Sequence, residues 1–289
     1  MINQSSPGLI SVVIPTCNRN DLLRLCLDKL NSSLQSLPST CYEVIVTDDS
    51  KKNISKDIIE KYYNWVQWIE GPKKGPAANR NHGAGKAKGE WLLFIDDDCL
   101  PGDQILNEYY VAIKNKREIL VFEGCIKPDR PKRSFKEEAP INETGGYLWS
   151  CNIMIQKRIF FEVLHGFDEN FPHAAMEDVD LFYRINKEKI AHVFLKHACV
   201  IHPWRIQTKP YSATIKHFKS TLYYLKKHPE KSAEINSLYY LKSFYYGFIK
   251  DLVRNGARYR LHGLLSRMIT GILNLYFSVY LLVIKRKSS

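Results

Sequence analysis

Three apolar runs constrain this chain more than anything else in it. Leu9-Ile-Ser-Val-Val-Ile14, Tyr42-Glu-Val-Ile-Val46 and Trp91-Leu-Leu-Phe-Ile95 are short, rich in β-branched and aromatic residues, and separated by helix-length segments. Runs with so little polar alternation predict strands covered on both faces, and strands spaced by helices predict a parallel sheet. The first spacer carries Leu22, Leu23, Leu25, Leu27 and Leu30, with Asn18 or Asn20 suited to cap it. The second holds a polar helix near 55–63 and a short strand around 65–70. The third, Gly75 to Gly89, has Pro76 at a first helical position. Further on, 103–115 reads as helix, 118–126 as strand, 157–164 as a short helix closed at Gly166, 177–185 as an acid-started helix and 192–201 as a last strand. Lys127 to Glu143 is charged and broken by prolines, which predicts a loop over one edge of the sheet.

Two of the long strands run straight into aspartates: Asp48-Asp49 after the second, Asp96-Asp97-Asp98 after the third. In open α/β sheets ligands bind outside the carboxyl ends of the strands, so this edge is the expected site. Three adjacent carboxylates need either a cation or full solvation; Mg²⁺ or Mn²⁺ gripping a diphosphate is one reading, a solvated turn the other. Asp48 can accept a hydrogen bond from a nucleobase or ribose, or form an Asx turn before Ser50. Arg80 can pair with phosphate or sit on the surface. Glu177-Asp178 at a helix start suits the helix dipole, or supplies a general base. His202 is a third metal ligand or a surface histidine. The glycines at 83, 85 and 89 form neither a P-loop nor a dinucleotide fingerprint, which excludes NTPase and dehydrogenase readings.

Charge divides the chain. Residues 1–202 carry 26 basic and 27 acidic side chains, while residues 203–289 carry 16 basic and 3 acidic. The seven cysteines contain no C-x-x-C pair, which argues against a disulfide framework or zinc cluster and for a reducing compartment. The Met1–Pro7 start lacks the features of a signal peptide, and a cytosolic location is expected.

Taken together and in order, these motifs resemble the inverting family-2 glycosyltransferases with the GT-A fold. The resemblance rests on Ser11-Val-Val-Ile-Pro-Thr-Cys-Asn-Arg19, Val44-Ile-Val-Thr-Asp-Asp-Ser50, Ala78-Asn-Arg-Asn81, Gly89-Glu-Trp-Leu-Leu-Phe-Ile-Asp-Asp-Asp98, Gly166-Phe-Asp168 and Glu177-Asp-Val-Asp-Leu181. It implies a Rossmann-like, mainly parallel sheet with helices on both faces over residues 1–204, with a nucleotide-binding half to about 100 and an acceptor half after it. It also implies a sugar-nucleotide donor, UDP-linked before dTDP-linked, and a glycan or lipid-linked acceptor. By that likeness Pro15, Thr16 and Arg19 line the nucleotide pocket, Asp48 reads the base, and Arg80, Asp96 and Asp97 lie beside the nucleotide. Asp98 and His202 hold a Mg²⁺ or Mn²⁺ ion, Asp178 is the general base, and Glu177 sits near sugar hydroxyls. Two positions depart from the family pattern: Cys99 stands where many members have a further Asp, and Ser50 where a Gly-Ser pair is common.

The basic remainder, 205–289, holds no recognised catalytic motif and reads as a helical extension. It carries basic residues among 10 of the 17 tyrosines, including Tyr223-Tyr224, Tyr239-Tyr240 and Tyr245-Tyr246. Met268 to Ile284 is a 17-residue uncharged run followed by Lys285-Arg286-Lys287. Thr270, Asn274 and Ser278 put a polar stripe on it that a lipid-spanning helix would avoid. An in-plane helix on the cytosolic face of an anionic membrane is the leading reading, ahead of a packed helix and a spanning one. A nucleic-acid-binding protein would leave the aspartate-tipped strands unexplained, and an inactive glycan-binding relative would leave the intact acids unexplained.

Overall fold

The structure, a computed structural model, describes residues 8–52 and 54–288, with side chains described as far as Val283. Met1–Pro7 lie outside the described residues, as do the side chains of the Lys285–Lys287 cluster. In chain order the strands are β1 (Ile10–Thr16), β2 (Tyr42–Asp48), β3 (Val66–Glu70), β4 (Trp91–Ile95), β5 (Leu100–Pro101), β6 (Val121–Pro128), β7 (Glu137–Glu138), β8 (Asn152–Gln156), β9 (His192–His202) and β10 (Arg205–Ile206). The α-helices are α1 (Asn20–Leu30), α2 (Lys56–Tyr62), α3 (Pro76–Lys86), α4 (Ile105–Asn115), α5 (Glu177–Lys187), α6 (Pro210–Lys227), α7 (Ser237–Phe244), α8 (Asp251–Asn255) and α9 (Leu264–Ser288).

The chain divides into two compact units. The first holds the residues up to Asp129, Pro140–Asn170 and Glu177–Pro203; the second holds Arg130–Ala139, Phe171–Met176 and the chain from Trp204 onward. Two short stretches before Trp204, Arg130–Ala139 and Phe171–Met176, thus group with the later part of the chain. Their packing explains why: β7 pairs with β10, Phe135 packs edge-on to Tyr259, and Phe171 to Tyr223. The stretch expected to be a plain loop, 127–143, thus contains a strand, and its Asn142 bridges back to Ile126.

The first unit is an eight-stranded sheet of order β3-β2-β1-β4-β8-β6-β9-β5. Strands β3, β2, β1 and β4 are parallel, joined by α1, α2 and α3, as the apolar runs predict. Alternate residues of each strand enter opposite cores. Val12, Ile14, Val44, Val46, Leu93 and Ile95 pack on one face with α1 and α4; Val13, Ile45, Leu92 and Phe94 pack on the other with α5 and the Ile159–Val163 turn. Each such side chain, removed from water, contributes about 1.5–3 kcal/mol. Gly83 lets α3 lie close against β1, because a Cβ there would stand 2.6 Å from Val13 Cγ1.

Sequence reasoning missed β8. It pairs antiparallel with β4 and places Asn152 opposite Ile95. Neither expected asparagine caps α1: Arg19 holds the cap position, Asn18 adopts φ 56°, and Asn20 donates to the Ile54 carbonyl.

The chain leaves β1 toward β2 and β3, then returns to the other side of β1 as β4. That reversal opens a crevice at the carboxyl ends of β1 and β4, where Thr16, Asp48 and Asp96–Asp98 converge.

The second unit is a two-stranded ribbon, β7–β10, with a helical bundle. Phe218, Tyr240, Leu273 and Phe277 form its core, with Phe218 and Phe277 stacked 3.7 Å apart.

Candidate active site

The three aspartates after β4 do three different things. Asp97 is fully buried; its Oδ2 accepts from Thr16 Oγ1 at 2.6 Å and Arg19 Nε at 3.1 Å, and its Oδ1 lies 2.6 Å from Arg19 Nη2. Burial raises its pKa to about 7 in spite of Arg19 and the Thr16 hydrogen bond, which oppose the rise. Asp98 takes the third Arg19 nitrogen, Nη1, at 3.0 Å and faces His202, whose Nε2 is 3.4 Å from Asp98 Oδ1. Strand β5 brings these two together, since it begins two residues after Asp98 and pairs Leu100 with Ile201. Asp96, the most exposed of the three, receives Arg80 Nη2 at 2.6 Å.

His202 fits a cation. Its Nδ1 lies 2.9 Å from the Pro203 carbonyl, which can only accept, so Nδ1 carries the proton. That leaves Nε2 facing Asp98 Oδ1 at 3.4 Å, an imidazole nitrogen and a carboxylate oxygen turned toward one point. Asp98, Cys99 and His202 offer ligand atoms within 4.8 Å of one another. The Cys99 thiol is the poor member: its hydrogen bond to Cys151 and its burial hold its pKa well above the ordinary range. A carboxylate and an imidazole remain, a donor pair that would suit a divalent ion such as Mg²⁺ or Mn²⁺.

Across the crevice, buried Arg80 links two elements. From α3 it reaches Asp96 and, at 3.6 Å, Glu177 Oε1 on α5, with its guanidinium over the Phe167 ring. Burial works against its charge, but Asp96 and Glu177 outweigh that and hold it protonated. Asp178 follows on the first turn of α5, its Oδ1 accepting from the Val179 amide at 2.9 Å. Burial and then Glu177 push its pKa up to about 7, against Arg80 and the helix-start amides. A carboxyl titrating near neutrality in a cleft is chemically suited to take and return a proton.

A sequence model of Glycosyl transferase family 2 matches residues 11–171, more than half of the chain. The chain belongs to that family. The poly(ribitol-phosphate) beta-glucosyltransferase of Bacillus spizizenii is 37% identical over 139 residues, covering 45% of this chain and 22% of that protein. A validoxylamine A glucosyltransferase of Streptomyces hygroscopicus subsp. limoneus is 25% identical over 273 residues, covering 78% of this chain and 58% of that one. The chain thus spans less than two thirds of the length of either relative. Staphylococcus aureus TarS 1–349 in complex with UDP-GlcNAc superposes with a TM-score of 0.54 at 23% identity, covering 72% of this chain and 64% of that one. The fold is GT-A.

In this family-2 chain the match ends before Glu177, Asp178 and His202, so those three rest on geometry. Pro15 and Thr16 close β1 beside Asp97. Asp48, at the end of β2, is held by the loop that follows it. It is fully buried, its Oδ1 accepts from the Ser50 amide at 2.8 Å, and its Oδ2 accepts from the Ser55 hydroxyl at 2.6 Å and amide at 3.2 Å. These bonds shape the Ser50–Ser55 loop as an Asx turn, and Oδ1, with a single donor, keeps a further lone pair. Asp49 receives the Lys73 and Gly75 amides at 2.8 and 2.9 Å, fixing the next loop in the same way.

One feature at this edge escaped the sequence reading. Glu123, buried within β6, gathers four N–H groups: Asn142 Nδ2 at 2.6 Å and the amides of Gly146, Tyr147 and Leu148 at 2.7–2.8 Å. The loop it pins runs through positive φ at Gly145, Gly146 and Leu148 and presents Tyr147, 54% exposed, parallel to Trp149. That pair immediately precedes β8, which lies beside β4 and its aspartates. A lone Glu inside the apolar run Val121-Phe-Glu-Gly-Cys125, followed downstream by Gly145-Gly146, was the available signal.

Proposed function

We propose that the chain transfers a sugar from a nucleoside-diphosphate sugar to a hydroxyl of a glycan or lipid-linked acceptor, inverting the anomeric centre. The observation that supports this most is the pairing, at one topological switch point, of a cation-ready Asp98–His202 pair with an Asp178 whose pKa lies near neutrality. Asp178 takes the acceptor hydroxyl proton; the acceptor oxygen bonds to the anomeric carbon as its bond to the diphosphate oxygen breaks, and the nucleoside diphosphate departs. One displacement from the opposite face inverts the centre. Asp98 and His202 would hold Mg²⁺ or Mn²⁺, which supplies charge neutralisation to the departing diphosphate. Arg80, locked between Asp96 and Glu177, keeps the two sides of the site in register, and Asp97 orients Arg19 toward the nucleotide over Pro15 and Thr16. Asp48, held in place by the Ser50–Ser55 loop, would read the base through its remaining acceptor capacity. UDP-sugars lead, consistent with the UDP-GlcNAc bound in TarS, and dTDP-sugars follow.

The second unit would seat the enzyme on an anionic cytosolic membrane face. Leu264–Val283 of α9 is long and apolar enough to cross a bilayer by length and composition, yet beside its core residues Leu273 and Phe277 it turns Ser266 and Ser278 inward, while Leu265, Ile272 and Val279 face outward. That pattern favours an in-plane helix, and its outward apolar face favours lipid over nucleic acid.

The test is a sugar-nucleotide panel read by slow donor hydrolysis and thermal shift, with and without Mn²⁺. UDP-sugar hydrolysis that stops in chelator and in Asp98→Ala supports the reading. Equal hydrolysis in chelator sinks the metal assignment, and no response to any sugar nucleotide sinks the transferase.

A further inference from the structure

Of the three polar residues in the α9 stripe, contacts within the second unit account for two and leave Asn274. Ser278 is satisfied, bonded to the hydroxyl and carbonyl of Ser237 at 2.9 and 2.8 Å. Thr270 is satisfied too, lying 3.5 Å from the Thr214 hydroxyl and donating to the Ser266 carbonyl. Asn274, between them, has no hydrogen-bond partner among the described residues, although it is half-buried beside Phe277. It faces a cavity of about 510 Å³ whose lining belongs entirely to the second unit.

The chemistry of that lining narrows the ligand. Phe218, Phe277 and Tyr240 give it an aromatic floor, and Thr214, Asn274 and Gln207 give hydroxyls and amides that both donate and accept. A phosphate site would be lined by donors alone, and a metal site by acceptors alone. Here the single carboxylate, Glu138, lines the cavity with Lys216, His173 and His217, and already receives the Gln207 amide at 3.3 Å. Opposite charges on the rim and mixed hydrogen-bonding capacity suit a ligand that is uncharged, has an apolar ring or chain face, and carries many hydroxyls. The volume lies in the range of small-molecule sites.

We propose that this cavity binds a neutral polyhydroxylated ligand, a saccharide or polyol unit, through Asn274, Thr214 and Gln207. The inference rests on the glycosyl-transfer reading only for the ligand's source, a unit of the acceptor; binding itself does not depend on catalysis.

Saturation-transfer NMR on the full chain tests it, with ribitol, glucose and N-acetylglucosamine as probes, inorganic phosphate as the charged control, and saturating UDP present. A probe signal that persists with UDP and falls about tenfold in Asn274→Leu and Thr214→Val is the expected result. Melting temperature and donor hydrolysis should match the parent in both variants, and Thr214→Val keeps the test valid if Asn274→Leu misfolds. A matching rise in acceptor KM identifies the acceptor as the source; lost binding with unchanged KM identifies a free sugar instead, and either supports the site. A signal abolished by UDP, one that survives both folded variants, or phosphate binding in place of the probes overturns it. A variant-sensitive probe signal in a chain that hydrolyses no donor would leave the cavity standing and remove the transferase.

Discussion

The two units solve the problem of burial in opposite ways. In the first, charge is inside: Arg80, Asp97, Asp98, Glu123, Glu177, Asp180 and His202 are all buried, while the apolar residues fill both faces of the sheet. In the second, Leu265, Ile272 and Val279 are 59–69% exposed, while Ser266, Ser278 and Thr221 are buried. Burying charge costs several kcal/mol per ion unless it is paired, so a unit that gathers so many such groups at one sheet edge is organised for chemistry. Leaving large apolar side chains in water forfeits the main driving force of folding. A unit that does so is organised for a surface.

The largest effect should come from the acid side of this contrast. Asp178→Asn removes the proton acceptor, and kcat should fall about 1,000-fold while UDP binding, followed by calorimetry, stays within a factor of two. Retained turnover at saturating donor would mean that Glu177 or water is the base. The counterpart in the second unit is Ile272→Asp with Val279→Asp. Each loses about 1 kcal/mol of apolar burial at a lipid interface, so partition onto anionic vesicles in flotation should drop roughly 30-fold. Donor hydrolysis without vesicles should not change. If the double variant floats as well as the parent, the outward face of α9 meets something other than lipid.

A smaller effect, about tenfold per pH unit, belongs to proton uptake at Asp178. The active form is the carboxylate, and burial raises its pKa to about 7. Below pH 7 kcat should fall with falling pH, and above it level off; a profile flat from pH 5.5 to 8.5 would break the assignment. The sign for stability is opposite. A carboxyl whose folded pKa lies above its unfolded value of about 3.9 binds more protons when folded, so stability is lost as pH rises from there through 7. Asp178→Asn should therefore melt at a higher temperature than the parent at pH 8, with the gap closing near pH 4.

How much of this was legible follows from what each signal depends on. The parallel half was readable because β1, β2 and β4 are buried on both faces, and a continuous apolar run is the direct consequence. Strand β8 was not: Asn152-Ile-Met-Ile-Gln156 is short, lies next to a helical turn, and takes its strand identity from β4 and β6 on either side. The site acids were legible as strand-end aspartates, but their division of labour was not. The Asx turn at Asp48 was legible from adjacency, but its bond to Ser55 and the Arg19 pairing of Asp97 were not, because those partners lie at separations that adjacency cannot reveal. The 130–139 excursion was hidden for the same reason, since its partner β10 comes some seventy residues later.

The smallest predicted effect separates a brace from a contact within the first unit. In Glu123→Gln the carbonyl oxygen can still receive Asn142, Tyr147 and Leu148, whose bonds converge on Oε1, but the new amide meets the Gly146 N–H donor to donor. One hydrogen bond and the charge that strengthens the others are lost, about 1–3 kcal/mol, so the melting temperature should fall by a few degrees. Tyr147→Ala should leave melting unchanged, because that side chain is exposed. If the Tyr147–Trp149 pair is a sugar platform positioned by Glu123, both variants raise acceptor KM several-fold at constant donor hydrolysis, and Tyr147→Phe restores it. If Glu123→Gln lowers melting while acceptor KM stays put, Glu123 only holds the fold and the aromatic pair takes no part in acceptor recognition.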